Sequence, residues 1–219
     1  MGAALEAILP AGVVAVERAS LDDDDVRAAI PPLYPGEEDL IAGASEGRRR
    51  EFAEARACAR EALEQLGIIA GPILATPDGA PVWPAGVVGS ITHKGGYRAA
   101  IVARRADLAG VGIDAEADEP LRDGLLGTIA SPAEIARVER LLAAQPGLAW
   151  DRLLFSAKEA AVKAARPAGA GAAGVRAVEI SLDPDARAFT AVVGGGASAP
   201  VAGAWAQAEG VLVTMASIR

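Results

Sequence analysis

Residues 109–116 read Ala-Gly-Val-Gly-Ile-Asp-Ala-Glu, an apolar stretch that ends in two carboxylates. The apolar part is typical of a buried strand. Successive side chains of a strand point to opposite faces, so Asp114 and Glu116 are expected on the same side, two residues apart. The segment therefore predicts a strand that presents two carboxylates on one face.

Residues 155–163 (FSAKEAAVK) form a second charged segment, and their composition is helical. Residues four apart share a helix face, so Glu159 and Lys163 are expected to be neighbours. Lys158 precedes Glu159 directly and adds a second positive charge. We expect this helix to bring a carboxylate and cations to the two carboxylates of the strand.

Taken together, the segments predict a metal-assisted enzyme that acts on a phosphate ester. Mg²⁺ prefers oxygen ligands and is commonly held by carboxylates and substrate phosphates. A single histidine and a single cysteine exclude most zinc sites, which use several nitrogen or sulfur ligands. Each segment by itself also fits an ordinary solvated strand edge or helix face, so the interpretation rests on their joint occurrence.

Composition narrows the class of protein further. The chain has 219 residues, of which 52% are hydrophobic, and a formal net charge of −8. Such a chain can fill a core, and its negative charge argues against general nucleic-acid binding. No apolar run reaches the length of a membrane span, and residues 1–10 lack the basic start of a signal peptide. With Cys58 as the single cysteine, we expect a cytoplasmic protein without disulfides.

The N-terminal part predicts a helix followed by strands. Ser45 has the chemistry of an N-cap and Gly67 that of a helix stop, around a helix over residues 46–66. Residues 87–92 and 97–103 are typical of two strands joined by a short turn. The acidic block at residues 22–25 is interpreted as a solvated surface feature.

The C-terminal part repeats this layout. Residues 131–134 form a capping box with proline at the first helical position, and a further helix is expected over 151–166. The last fifty residues resemble a β-meander. We therefore predict an α+β fold of two pseudo-symmetric halves, residues 1–106 and 107–219, with the active site between them. Each half is expected to pack a helix on a small, mostly antiparallel sheet.

Two arginines of the first helix are candidate phosphate contacts. A helical wheel places Arg48 near the middle of the apolar stripe and Arg56 at its edge, whereas Arg49 and Arg60 point outward. A buried arginine is costly without an anionic partner. Surface arginines that only lay their stems on apolar residues remain an equal alternative.

The other motifs of the sequence give little evidence for a nucleotide-binding or catalytic function. Residues 169–174 match a Gly-rich dinucleotide pattern, but they follow a helix and precede a strand, which is the wrong context. No phosphate-binding P-loop occurs, and His93 lacks the nucleophile elbow that would accompany a catalytic triad. A lone histidine is most often structural.

Four sequence blocks together resemble the 4′-phosphopantetheinyl transferase superfamily, in its larger two-lobed branch of surfactin- and enterobactin-type enzymes. The metal signature G-[IV]-D-x-E stands at residues 112–116, and [FW]-[SC]-x-K-E-[AS]-x-x-K stands at residues 155–163. An Arg- and Ala-rich helix lies at 48–63, and a segment resembling W-P-x-G-x-x-G-S-[IL]-T-H…G-Y lies at 83–97. The blocks are in the family order over about half the chain.

The resemblance implies transfer of the phosphopantetheine arm of coenzyme A to a serine of an apo acyl or peptidyl carrier protein, with release of adenosine 3′,5′-bisphosphate. Asp114, Glu116 and Glu159 are then expected to hold Mg²⁺, or alternatively Mn²⁺. Glu159 and Lys163 are the expected catalytic residues. The residues expected to bind coenzyme A are Arg48, Arg56, Thr92, His93, Lys158 and Lys163.

The chain departs from the family pattern in places, and two other functions stay open. Relatives often have a basic residue where this chain has Ala75, and a cysteine where it has Lys94, so Lys94 is an alternative source of that charge. The alternatives are a Mg²⁺-dependent coenzyme A or nucleotide phosphohydrolase and a non-catalytic coenzyme A-binding module. We expect a monomer, and the pathway served (fatty-acid, polyketide, non-ribosomal peptide or siderophore synthesis) is open.

Overall fold

The computed structural model describes residues 2–19, 30–168, 174–194 and 201–219. The N-terminal elements are α1 (Gly2–Glu6), β1 (Val13–Ala19), α2 (Pro35–Asp39), α3 (Glu46–Gln65), β2 (Val87–Lys94) and β3 (Tyr97–Arg104). The C-terminal elements are β4 (Gly110–Ala117), α4 (Leu125–Ile129), α5 (Pro132–Ala144), α6 (Trp150–Ala165), β5 (Val178–Asp183), β6 (Ala188–Val193), β7 (Val201–Ala208) and β8 (Val211–Ile218). The acidic block and most of the Gly-rich stretch at 169–174 lie outside the described residues.

The first sheet has the strand order β1-β3-β2, and both pairings are antiparallel. Helix α3 begins after Ser45, whose side chain accepts a hydrogen bond from the backbone N–H of Arg48. Its small residues Cys58, Ala59 and Ala62 are fully buried and pack in one cluster with Ala100 of β3. The predicted helix and strands of this part are confirmed.

The second sheet has the strand order β4-β8-β7-β6-β5, which is a continuous antiparallel meander with β4 added at its far edge. Helix α6 lies across this sheet, and most of its residues are buried. Its buried residues belong to a cluster that includes Trp150 and Trp205, whose rings meet edge to face at 6.0 Å between centroids. The predicted capping box at Ser131, the helix over 151–166 and the C-terminal meander are confirmed.

Strand β4 and helix α6 approach at backbone distance because two glycines leave no side chain between them. A Cβ at Gly112 would lie 2.0 Å from the carbonyl oxygen of Ala160, and one at Gly110 would lie 2.0 Å from that of Ala164. Neither approach is compatible with any side chain. The glycines of this strand therefore determine how closely its carboxylates approach the helix.

The two sheets meet where their edge strands β2 and β4 run side by side, and side-chain hydroxyls join them. Ser90 accepts a hydrogen bond from the backbone N–H of Ile113 at 3.1 Å, and Thr92 accepts one from that of Ala115 at 3.0 Å. These bonds satisfy amide donors on the free edge of β4, which would otherwise be buried without partners. We refer to this contact between β2 and β4 as the seam.

The α+β architecture with two antiparallel sheets confirms the predicted fold class. All strands of the first sheet lie before residue 106 and all strands of the second lie after it. On that basis we propose that residues 1–106 and 107–219 are the two halves of the molecule. In the described part of the chain, no helix combines the length and the apolar character needed to cross a membrane.

Candidate active site

Asp114 lies beside the seam on β4 and is bonded to helix α6 through both carboxylate oxygens. Oδ1 accepts a hydrogen bond from the Lys163 ammonium at 2.7 Å, and Oδ2 accepts one from the Ser156 hydroxyl at 2.9 Å. Ser156 also contacts the Thr214 hydroxyl of β8 at 2.8 Å. Burial raises the pKa of the Asp114 carboxyl, and the ion pair with Lys163 opposes that rise.

Glu116 is the second carboxylate of β4, and it is held by cations from both parts of the molecule. One of its oxygens lies 2.7 Å from the Lys94 ammonium of β2 and 3.2 Å from the guanidinium of Arg152 on α6. Arg152 also donates to the backbone carbonyls of Glu119 and Pro120, which fixes its position. The structure thus confirms that Asp114 and Glu116 occupy one region beside α6.

Glu159 is the third carboxylate, and it is half-buried on α6. In the described ranges, no side chain forms a hydrogen bond or an ion pair with its carboxylate. Burial raises the pKa of Glu159, Lys163 lowers it, and the nearby charge of Asp114 raises it further. Glu159 is therefore an open acceptor within the same charged cluster.

Asp114, Glu116 and Glu159 offer carboxylate oxygens, the ligands that hard divalent cations prefer. Among the described residues, no group of three His, Cys, Asp or Glu side chains is already arranged around a common point. Asp114 and Glu116 are instead neutralised by ammonium and guanidinium groups, while Glu159 is open. The donor set fits a hard divalent cation, which would have to replace the ammonium groups as the partner of these oxygens.

Lys158 faces away from this cluster, which corrects its expected role as a phosphate contact. Its side chain is fully buried, and its ammonium forms an ion pair with Glu134 of α5 at 2.8 Å and donates to the carbonyl of Val178. Glu134 also accepts from the backbone N–H of Ile180 at 2.8 Å. The ammonium is committed to these partners, so we leave Lys158 out of the phosphate-binding residues.

Arg48 of α3 and His93 of β2 lie together. Arg48 donates a hydrogen bond to Nε2 of His93 and forms an ion pair with Glu51 at 3.4 Å. The Arg48 side chain is 48% exposed, so the structure shows the surface position, which was one of the two alternatives open for this arginine. Burial and the positive charge of Arg48 lower the pKa of His93, which keeps the imidazole neutral so that it can accept this bond.

Arg56 is buried, which agrees with its position at the edge of the apolar stripe of α3. Its Nε donates to the Ile73 carbonyl at 2.9 Å, and its guanidinium stacks on the ring of Phe52 at 4.3 Å. Burial lowers its pKa to about 10. Thr92 is also buried, and its hydroxyl is already bonded across the seam.

Several residues that shape the site were not found from the sequence. Ser156, Arg152 and Glu134 act through contacts between segments far apart in the chain. Arg60, expected to point outward, forms an ion pair at 3.0 Å with Glu37, whose side chain is fully buried. Glu134 was marked in the sequence by the predicted capping box. Its carboxylate also accepts a hydrogen bond from the backbone N–H of Ile180 on β5.

A groove runs from the cluster along β2. A cavity of about 180 Å³ is lined by Lys163, Ser90 and Trp83, and it continues into one of about 570 Å³. Trp83 and Arg166 line both cavities. The charged cluster thus opens onto an elongated, partly aromatic groove.

Comparison with known proteins identifies the family. Residues 36–103 match the 4′-phosphopantetheinyl transferase N-terminal domain, and residues 110–215 match the 4′-phosphopantetheinyl transferase superfamily. The chain is 43% identical to the 4′-phosphopantetheinyl transferase Svp of Streptomyces mobaraensis, over 98% of this chain and 89% of the relative. It is 42% identical to PptT of Mycobacterium tuberculosis, over 87% and 82% of the two chains. The chain belongs to the 4′-phosphopantetheinyl transferase superfamily.

Two further relatives match a smaller share of the chain. The enterobactin synthase component D of Escherichia coli K12 is 37% identical over 53% of this chain and 54% of its own length. The transferase Npt of Nocardia iowensis is 44% identical over 82% of this chain and 77% of its own. The three transferases Svp, PptT and Npt thus match more than four fifths of this chain.

Proposed function

We propose that this protein transfers the 4′-phosphopantetheine arm of coenzyme A to a serine of an apo acyl or peptidyl carrier protein, in a reaction that depends on Mg²⁺. One observation carries the proposal: β4 and α6 are in backbone contact, and Asp114, Glu116, Glu159 and Lys163 form one charged cluster beside the seam. Membership of the transferase superfamily agrees with this reaction.

Asp114, Glu116 and Glu159 are the proposed metal-binding residues. Bound Mg²⁺ would supply charge neutralisation to the pyrophosphate of coenzyme A, whose negative charge otherwise repels a nucleophile. Mn²⁺ has the same preference for carboxylate oxygens and is the natural substitute.

Glu159 and Lys163 are the proposed catalytic residues. The open carboxylate of Glu159, whose pKa is raised by burial, accepts the proton of the carrier serine hydroxyl directly or through water. The serine oxygen bonds to the phosphorus of the pantetheine phosphate, and the bond from that phosphorus to the oxygen of adenosine 3′,5′-bisphosphate breaks. Lys163 stabilises the charge that develops on the leaving phosphate.

Arg48, Arg56, Thr92 and His93 are the proposed contacts for the nucleotide of coenzyme A. Arg48 and His93 lie together and are partly exposed, so they can contact a phosphate without rearranging the core. Arg56 and Thr92 are buried, and they would act mainly by holding the surrounding backbone. The groove beside Lys163 is the proposed path of the pantetheine arm.

The proposal is tested by incubating the protein with coenzyme A, Mg²⁺ and a panel of purified apo carrier proteins, followed by mass spectrometry of each carrier. A carrier that gains one phosphopantetheine supports the proposal, and the control with its acceptor serine changed to alanine must stay unmodified. Release of adenosine bisphosphate with every carrier unmodified would instead indicate a phosphohydrolase. No turnover of coenzyme A with any carrier would indicate a binding module.

A further inference from the structure

Lys94 differs from the other seam residues of β2 because it contacts a side chain of β4 and not its backbone. Ser90, Thr92 and Lys94 alternate along β2, so their side chains point to the same side of the strand. The first two bond to the backbone of β4, and the third reaches the side chain of Glu116. Lys94 therefore continues the row of seam contacts into the proposed metal site.

The two cations that hold Glu116 are anchored differently. Arg152 is fixed by two backbone carbonyls in addition to Glu116. In the described residues, the Lys94 ammonium has Glu116 as its one hydrogen-bonding or ion-pairing partner, and its side chain is 41% exposed. Lys94 can therefore leave Glu116 without breaking any other contact, whereas Arg152 cannot.

We propose that Lys94 competes with the divalent cation for Glu116 and that binding of coenzyme A relieves this competition. This inference rests on the proposed function. The Lys94 ammonium lies 2.7 Å from a Glu116 oxygen, so its positive charge opposes a metal ion at the same carboxylate. The displaced ammonium needs a new anionic partner, and the phosphates of coenzyme A supply it at the same site.

Binding of the cation and binding of coenzyme A are consequently coupled. Without coenzyme A, a Lys94 ammonium that yields Glu116 to the cation moves into water. With coenzyme A, the cation gains phosphate ligands and Lys94 gains a phosphate partner. Because such coupling is reciprocal, the cation must also strengthen binding of coenzyme A by the same factor.

The first measurement is a titration of the purified protein with Mn²⁺ in the absence of coenzyme A. The electron paramagnetic resonance signal of the free ion reports how much Mn²⁺ is unbound. Lys94→Met keeps the length of the side chain and removes its charge. We expect it to bind Mn²⁺ about fivefold more tightly than wild type, the effect of losing a partly exposed ion pair worth about 1 kcal/mol. Lys94→Gln should give the same result, and Lys94→Arg should stay close to wild type.

A matched control separates contact with Glu116 from general electrostatics. Arg166 lies at the end of α6, and its charge influences Glu159, but its ion pair is with Asp78 at 3.4 Å. Arg166→Met should change Mn²⁺ affinity by less than about twofold, because its ion pair is with Asp78 and its partly exposed charge is screened by salt. An equal effect of Arg166→Met and Lys94→Met would overturn the inference.

The second measurement repeats the titration with saturating coenzyme A. Wild type should gain more Mn²⁺ affinity from coenzyme A than Lys94→Met does, by about the same fivefold factor. Equal Mn²⁺ affinity of wild type and Lys94→Met without coenzyme A overturns the role of Lys94. If wild type modifies its carrier in that case, the inference alone has failed; if it also transfers nothing, the proposed function has failed as well.

Discussion

The two sides of helix α6 present lysines in opposite surroundings. On the side of α5 and β5, the Lys158 ammonium is fully buried and paired with Glu134. On the side of β4, Lys163 is 28% exposed and pairs with Asp114, next to the open carboxylate of Glu159. We call the first the closed side and the second the open side of α6.

The difference shows that the motif at residues 155–163 serves two purposes, anchoring of the helix and formation of the site. Buried charges are stable only when their partners are complete, so the closed side fixes the helix and cannot change partners during a reaction. The open side keeps charges that water and ligands can reach. Adjacent residues Lys158 and Glu159 therefore divide between holding the helix and forming the site.

Breaking the closed side should give the largest effect. Lys158→Met leaves the Glu134 carboxylate buried without its cation and should lower the free energy of unfolding by about 3–5 kcal/mol. Urea denaturation measures this, with Lys163→Met as the comparison, which should lose less because Lys163 is 28% exposed and Asp114 keeps its hydrogen bond from Ser156. Combining Lys158→Met with Glu134→Gln should recover part of the loss. A Lys158→Met protein as stable as Lys163→Met would remove the distinction between the two sides.

The open side should respond in activity rather than in stability. Glu159→Ala should lower the rate of carrier modification at least about 100-fold, since it removes a charge proposed to act in the transition state. Its free energy of unfolding should not fall, because the carboxylate lost is desolvated and lacks a close partner. Steady-state kinetics measures the rate, and urea denaturation measures the free energy of unfolding. Retained transfer in Glu159→Ala would remove Glu159 from the site.

Ser156 marks the boundary between the sides, since it is fully buried yet bonds to Asp114. Ser156→Ala removes one hydrogen bond to a carboxylate and one to Thr214, and it should cost about 1–3 kcal/mol of stability. Ser156→Cys nearly preserves the volume and is the matched control for the cavity. If both variants are as stable as wild type, the serine does not hold Asp114.

The same contrast exists on α3, between exposed Arg48 and buried Arg56. Arg48→Ala should raise KM for coenzyme A about tenfold without loss of stability, as expected for one charge-assisted contact. Arg56→Ala should also raise KM but destabilise the fold, because the Ile73 carbonyl loses its donor. Arg18→Ala, another exposed and ion-paired arginine, is the control and should leave KM unchanged. An unchanged KM in Arg48→Ala contradicts its proposed contact.

The smallest expected effect is a dependence of stability on pH at His93. Its pKa in the folded protein is below 6.5, so the unfolded chain binds the proton more readily. Stability contributed by the neutral imidazole is therefore full above 6.5 and lost as the pH falls toward the lowered value. Urea denaturation between pH 8 and pH 5 should show a smaller loss for His93→Gln than for wild type. Parallel pH profiles would refute this.

The sequence was sufficient for the parts of the fold that depend on local pattern. The strand at Asp114, the helix at Glu159 and the C-terminal meander follow from periodicity and capping, which are local properties. Lys158 was assigned to phosphate by the family resemblance, and no local pattern tells which of two adjacent charged residues faces a neighbouring element. Its partner, Glu134, lies on another helix.

The arginines show a second limit of the sequence. The wheel placed Arg48 on the apolar stripe and left its burial open, and the structure shows its side chain 48% exposed beside His93. The burial of Glu37, which holds Arg60, depends on a contact across a distant loop. Such contacts depend on the tertiary structure, so periodicity carries no information about them.

Gly110 and Gly112 have a consequence for how this site can vary. Because main chain rests on main chain there, the spacing between the carboxylates of β4 and the helix is set by atoms that every residue type shares. Neighbouring side chains can then be exchanged without altering that spacing, whereas one added methyl group on either glycine would push the helix outward. Substitution should thus be tolerated least at Gly110 and Gly112, two positions that carry no functional group.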